Sequence, residues 1–231
     1  MNTFFSGKTR KGLAAVALAT TAAISLAACG SSDDSSKSSS SSSTTKASAP
    51  KPLAAIDSLT GNSTSVTLDK GFTDALTALK LTPGTVGTAK LTDGALVFPV
   101  TGGNVTYFKP GTVSPYVIGQ VQHEGSGFSL AAGGTKVEIT NLNVDPGVSR
   151  VYGDVSVNGK LAAPSAYVFK LDGRTLKPLQ TSGDTATLEG TKVEISPVAA
   201  PLLNKTFNTD AVKPGLLVGI AKIVVNTTPG Q

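Results

Sequence analysis

Short runs of alternating apolar and polar residues, separated by glycine-containing pairs, recur along the chain from Ser63 onward. Ala95-Leu96-Val97-Phe98, Val105-Thr106-Tyr107-Phe108, Tyr116-Val117-Ile118, Lys136-Val137-Glu138-Ile139 and Val151 to Val157 each have the period-two pattern of a strand with one buried and one wet face. The pairs Asp93-Gly94, Gly102-Gly103, Gly133-Gly134, Asn158-Gly159, Asp172-Gly173 and Gly183-Asp184 separate such runs. Asn-Gly and Asp-Gly tolerate positive φ at both central turn positions, which suits two-residue hairpins. Only two stretches have helical spacing: Gly71 to Lys80, with Phe72, Leu76 and Leu79 on one face, and Val198 to Lys205. The expected class is all-β, an antiparallel β-sandwich or barrel-like domain with two short helices.

An internal echo accompanies this pattern. Val66-Thr67-Leu68, a helical segment, Pro83-Gly84 and a strand ending in Ala89-Lys90-Leu91 match Val193-Glu194-Ile195, a helical segment, Pro214-Gly215 and a strand ending in Ala221-Lys222-Ile223. An internal duplication is expected, with each helix capping an end of the β core and Pro-Gly ending the turn before the next strand.

The chain of 231 residues divides into three parts. Residues 1–28 carry Lys8, Arg10 and Lys11 and then the small-residue apolar run Leu13 to Ala28, the form of a secretory signal. The run ends in Leu26-Ala27-Ala28-Cys29-Gly30, which resembles the lipobox of bacterial lipoproteins. That resemblance implies cleavage before Cys29, acylation of its sulfur and anchoring to the membrane outside the cytoplasm. Residues 29–51 are serine-rich without a large apolar side chain, so they are expected to be a disordered linker. Residues 52–231 are expected to form the β-rich domain.

Charge and composition exclude several functions. Residues 52–231 hold 14 basic and 13 acidic side chains, so nearly all of the net charge of +5 sits in the leader and linker. No basic run exists to neutralise phosphates, and no nucleic-acid partner is expected. One Cys and one His leave no disulfide, cysteine-ligated metal site or choice of triad histidine. There is no Gly-x-Ser-x-Gly elbow, phosphate loop or dinucleotide fingerprint, and no carboxylate pair stands out. Asn141 to Gly147 has oxygen side chains at alternate positions, but Pro146 stands where a calcium loop needs Gly and Tyr152 where it needs Glu. That segment reads as a strand ending in an Asp-Pro-Gly turn. The protein is expected not to be an enzyme, to need no cofactor, and to meet the membrane through its lipid; a cell-wall, small-molecule or protein ligand stays open.

His123 is the one imidazole. If the strand beginning near Tyr116 keeps alternating, Val121 and His123 share one face while Gln120, Gln122 and Glu124 share the other. Two readings follow: a hydrogen-bonded, half-buried histidine at a strand end beside a glycine turn, or a ligand-binding group.

The stretch Gly119-x-Val121-x-His123-x-Gly125, with Phe128-Ser129-Leu130, Val137 to Asn141, Val144-Asp145 and Gly153 to Val157, resembles the HtaA-type repeat of bacterial haem-uptake proteins over roughly residues 95–172. A related group of secreted proteins with the same plan and no assigned activity is similar to the same degree. The HtaA resemblance implies a β-rich fold in which a Tyr from a short helix holds haem and a His supports it. His123 carries over; the helix here reads Phe72-Thr73-Asp74-Ala75-Leu76, so the Tyr does not. A haem site on this reading would draw its oxygen ligand from Tyr107, Tyr116, Tyr152 or Tyr167, with Tyr107 and Tyr116 the better placed because they flank the Lys109-Pro110-Gly111 loop before the His strand.

Overall fold

The computed structural model describes residues 49–228, so the leader, Cys29 and nearly all of the serine-rich segment lie outside the described residues. Thirteen strands form one sheet. In chain order they are β1 (Ala54–Ile56), β2 (Asn62–Leu68), β3 (Thr82–Gly87), β4 (Lys90–Thr92), β5 (Ala95–Pro99), β6 (Gly102–Tyr107), β7 (Val117–Ala132), β8 (Thr135–Asp145), β9 (Arg150–Val157), β10 (Lys160–Asp172), β11 (Gln180–Ser182), β12 (Thr185–Ile195) and β13 (Leu217–Asn226). Helix α1 (Lys70–Ala78) follows β2, and α2 (Ala199–Phe207) follows β12. The main path runs β1-β6-β7-β8-β9-β10-β12-β13-β2-β5-β4, every pairing antiparallel, which agrees with the all-β expectation.

The sheet curls because one chain segment belongs to both of its ends. β5 pairs with β2, and after Val100 and Thr101 the same segment continues as β6 and pairs with β7. Val100 N donates to Asn62 O on one side at 2.7 Å, and Thr101 N donates to Gln122 O on the other at 2.8 Å. The enclosed faces make one core, to which the longer strands contribute alternate residues: Val66 on β2, Leu96 and Phe98 on β5, Val151 and Val155 on β9, Val193 and Ile195 on β12.

Turn chemistry follows the sequence at four of the six pairs. Asp93-Gly94, Gly133-Gly134 and Asn158-Gly159 have positive φ at both residues and join β4–β5, β7–β8 and β9–β10; at Gly183-Asp184 only Gly183 does, joining β11–β12. Gly102-Gly103 is not a turn but the start of β6, where a Cβ on Gly103 would stand 1.9 Å from Gln120 O. Asp172-Gly173 begins a single 3-10 turn, Gly173–Thr175, capped by Asp172 Oδ1 on Arg174 N at 3.0 Å. The Asp145-Pro146-Gly147 turn follows β8 as read.

Both helices form where their periodicity places them and bury Phe72 and Leu76 on α1 and Ala199, Ala200 and Leu203 on α2. Asp69 Oδ1 caps α1 by accepting from Gly71 N at 2.8 Å. The entry to α2 rests on Ser196, which is 0% exposed: its Oγ donates to Tyr167 O and accepts from Ala199 N at 2.9 Å. Val198 N donates to the same Oγ at 3.2 Å, so Ser196→Ala removes three hydrogen bonds at a buried site and is expected to lower unfolding free energy by about 2–3 kcal/mol, read as a shift of the urea midpoint. An unchanged midpoint would contradict this account of the cap.

The echo is repeated in element order but not in pairing. β13 returns beside β12, whereas β3 crosses to β7. Pro83-Gly84 lies inside β3 opposite Leu130 and Ser129, not in a turn before it. Pro214-Gly215 does precede its strand, with Gly215 at φ 83°.

β7 carries the irregularity that positions the candidate site. Its first half pairs with β6, its second half with β3, and the register against β8 shifts between His123 and Gly127. Inward residues are Val117, Val121 and His123 before the shift and Ser126, Phe128 and Leu130 after it, so the parity changes across Glu124-Gly125. β8 changes parity at the same level, from Val137 and Ile139 to Leu142 and Val144, through Asn141 at φ 53°. Side chains partner the peptide groups that the bulge frees from the β7–β8 ladder: Glu124 N donates to Thr101 Oγ1, Gly125 N to Asn141 Oδ1, and His123 O accepts from Ser126 Oγ.

Candidate functional site

The bulge leaves His123 1% exposed in the middle of a strand, not half-buried at a strand end. Its Nδ1 lies 2.9 Å from Pro99 O. A carbonyl oxygen only accepts, so Nδ1 carries the proton and Nε2 presents a lone pair. Nε2 is buried and has no hydrogen-bond partner among the described residues. Burial pushes the imidazole below its usual pKa, and the Pro99 carbonyl opposes this to a smaller extent.

A second orphan faces the same space. Thr64 is 4% exposed and its Oγ1 also lacks a partner. It stands in β2 directly opposite Phe98 of β5, and the Phe98 ring lies 6.1 Å from the imidazole. Thr64 and His123 line one cavity of ≈ 70 Å³, whose other walls include Phe72, Phe98, Phe128, Leu142 and Val193. Each unpaired buried polar atom costs about 1–3 kcal/mol. Sequence reasoning named His123 and missed Thr64; the parity of Thr64, Val66 and Leu68 on β2 was the signal that would have turned the hydroxyl inward.

The cavity belongs to a series inside the curled sheet. Beneath α1 and α2 lies a smaller one of ≈ 30 Å³. Toward the β1 end lies one of ≈ 100 Å³, sharing Val144, Thr191 and Ile223 with the His123 cavity. Its outer walls, Ile56, Leu176, Leu179, Ala186 and Leu188, are half-buried and form an apolar rim at the surface.

Tyr107 and Tyr116 sit elsewhere. They meet each other edge to face with ring centroids 5.9 Å apart. Tyr107 walls the cavity at the β1 end, and its register partner is Val117, six residues before His123 and so about 20 Å away along β7. Burial and the neighbouring Tyr107 raise the Tyr116 pKa, which disfavours a phenolate. The expected pairing of either tyrosine with His123 is therefore not formed. What the structure does bring to His123 is Phe72 of α1, the helix that the resemblance singled out, with a phenyl ring where a ligand would be needed. A cavity of ≈ 70 Å³ is also small against the roughly 300–1,000 Å³ of cofactor pockets. The residues present do not fit haem in this closed interior.

No protein-family model matches the chain, and no curated protein does. Among solved structures, the C-terminal domain of HtaA from Corynebacterium glutamicum is similar with a TM-score of 0.51 at 13% identity, over 73% of this chain and 98% of that one. The haem-binding protein HtaB from the same organism gives a TM-score of 0.47 at 9% identity, over 75% of this chain and 96% of that one. At 13% identity the HtaA likeness establishes one thing, that this chain has the fold of that domain.

Proposed function

We propose that this protein is a lipid-anchored lipoprotein of the cell envelope whose β domain binds an apolar ligand in its interior and catalyses no reaction. The observation that carries the reading is the pair of adjoining apolar cavities, one walled by half-buried Leu176 and Leu188 and the other by buried His123. His123 has no carboxylate among the walls of its cavity and no hydrogen bond to Thr64, so it activates no nucleophile there. The anchor rests on the sequence around Cys29, the one cysteine. No helix among the described residues is long and apolar enough to cross a membrane.

Two measurements test this reading. Cys29→Ala is expected to move the protein out of the detergent phase into an unprocessed or released form; unchanged partitioning would remove the anchor from the proposal. The apolar fluorophore 1-aminoanthracene is expected to bind the protein saturably at one site. Mere linear partitioning would sink interior binding.

Haem capture is the second reading, and one observation favours it: Nδ1–H fixed on a backbone carbonyl with Nε2 free is the arrangement of metal-binding imidazoles. It requires the interior to open around His123. A saturable Soret shift abolished by His123→Ala would establish it over the first reading, and no shift at micromolar haemin retires it.

A further inference from the structure

We infer that the interior ligand is a neutral apolar alcohol whose hydroxyl sits between His123 Nε2 and Thr64 Oγ1. The inference rests on the interior-binding reading and adds the chemistry of the ligand's head. With its Nδ1 proton engaged by Pro99 O, the imidazole only accepts at Nε2, so the ligand must bring a proton donor. The Thr64 hydroxyl can both give and take, and an alcohol satisfies both orphans at once: its O–H donates to Nε2 while its oxygen accepts from Oγ1.

Other heads fail on the same groups. An ionised carboxylate has no proton for Nε2, and no Lys or Arg lines either cavity to offset its desolvation. An ammonium meets no carboxylate there. A plain hydrocarbon leaves both polar atoms unpaired. The body of the ligand runs toward the β1 end, because the neighbouring cavity of ≈ 100 Å³ adjoins the site through Val144, Thr191 and Ile223 and opens at the apolar rim.

The chain's single histidine makes the test direct, since imidazole nitrogen resonances of the full-length protein come from His123 alone. The probes are 1-octanol and octanoate at pH 7, with 1-aminoanthracene, the reporter used above, as the reference for interior binding. Octanol is expected to move the Nε2 resonance toward its hydrogen-bonded position and to bind about tenfold or more tighter than octanoate. Thr64→Val, which keeps the shape of the side chain, is expected to weaken octanol about tenfold while aminoanthracene binding is retained. Equal binding of octanol and octanoate overturns the alcohol assignment. An Nε2 resonance that is hydrogen-bonded in the free protein and unmoved by octanol also overturns it, giving the site to a buried water. If aminoanthracene does not bind either, the interior-binding reading itself has failed.

Discussion

Gly127→Val is expected to leave the protein without a cooperative unfolding transition. Gly127 is buried in β7 opposite Thr140 of β8, where a Cβ would lie 2.1 Å from Ile139 O and 2.8 Å from Thr140 Cα. Both atoms are backbone in the ladder that crosses the core, so neither can turn aside as a flexible side chain would. The two strands must separate just where β7 resumes its register after the bulge. A loss above about 4 kcal/mol is expected, a large part of the stability of a single domain. Gly133→Ala is the control: Gly133, unlike Gly127, has positive φ, but nothing stands within 4 Å of its Cβ, so only about 1–2 kcal/mol is at stake. Urea unfolding followed by far-ultraviolet dichroism separates the two. A valine variant with a midpoint near that of the control would refute the close β7–β8 approach.

Acid is expected to weaken the fold through His123 before any carboxylate is protonated. In the unfolded chain the imidazole takes a proton near pH 6.5, whereas burial holds it neutral to lower pH in the folded protein. Between those two values the unfolded state binds more protons, so stability falls as pH falls, by up to about 1.4 kcal/mol per unit. Above pH 6.5 His123 contributes no slope. Asp154, held low by Asn141 and the Ser165 amide, and Asp172, held low by Arg174, act only once the pH drops through the carboxylate range near 4. Urea midpoints at pH 7, 6 and 5 should therefore decline in the natural protein and stay level in His123→Phe. Equal declines in both would take His123 out of the explanation. The alcohol should weaken only below that window, where the folded imidazole itself takes a proton and Nε2 loses the lone pair that receives the hydroxyl.

Much of the fold was legible because strands, turns and helices are specified locally. Asn158-Gly159 and Asp93-Gly94 read as tight turns because few other residues tolerate positive φ twice in succession, and both became hairpins. Phe72, Leu76 and Leu79 lie on one helical face by spacing alone. Gly102-Gly103 and Pro83-Gly84 misled for the converse reason: each has turn composition, yet lies in a strand beside a partner far away in sequence. Nothing within ten residues of Gly103 shows that Gln120 O will lie against it.

The candidate site divides the same way. Alternation put His123 on the inward face with Val121, and the inward parity of Thr64 could have been read from Val66 and Leu68. The change from odd positions at Val121 to even ones at Phe128 and Leu130 was present too, but locating the bulge needs β8 alongside. The depth of His123, the Pro99 carbonyl that fixes its tautomer, and its cavity shared with Thr64 and Phe72 all come from the curl by which one segment serves as both β5 and β6. Sequence by itself determined the β class, most of the hairpin turns, the helices and the inward face of each regularly alternating stretch, since those depend on neighbours along the chain. Only the tertiary structure decided that Tyr107 and Tyr116 stand away from His123, that β3 crosses to β7, and that two polar atoms meet unpaired in one apolar cavity, because strand partners are chosen by long-range burial that local periodicity does not encode.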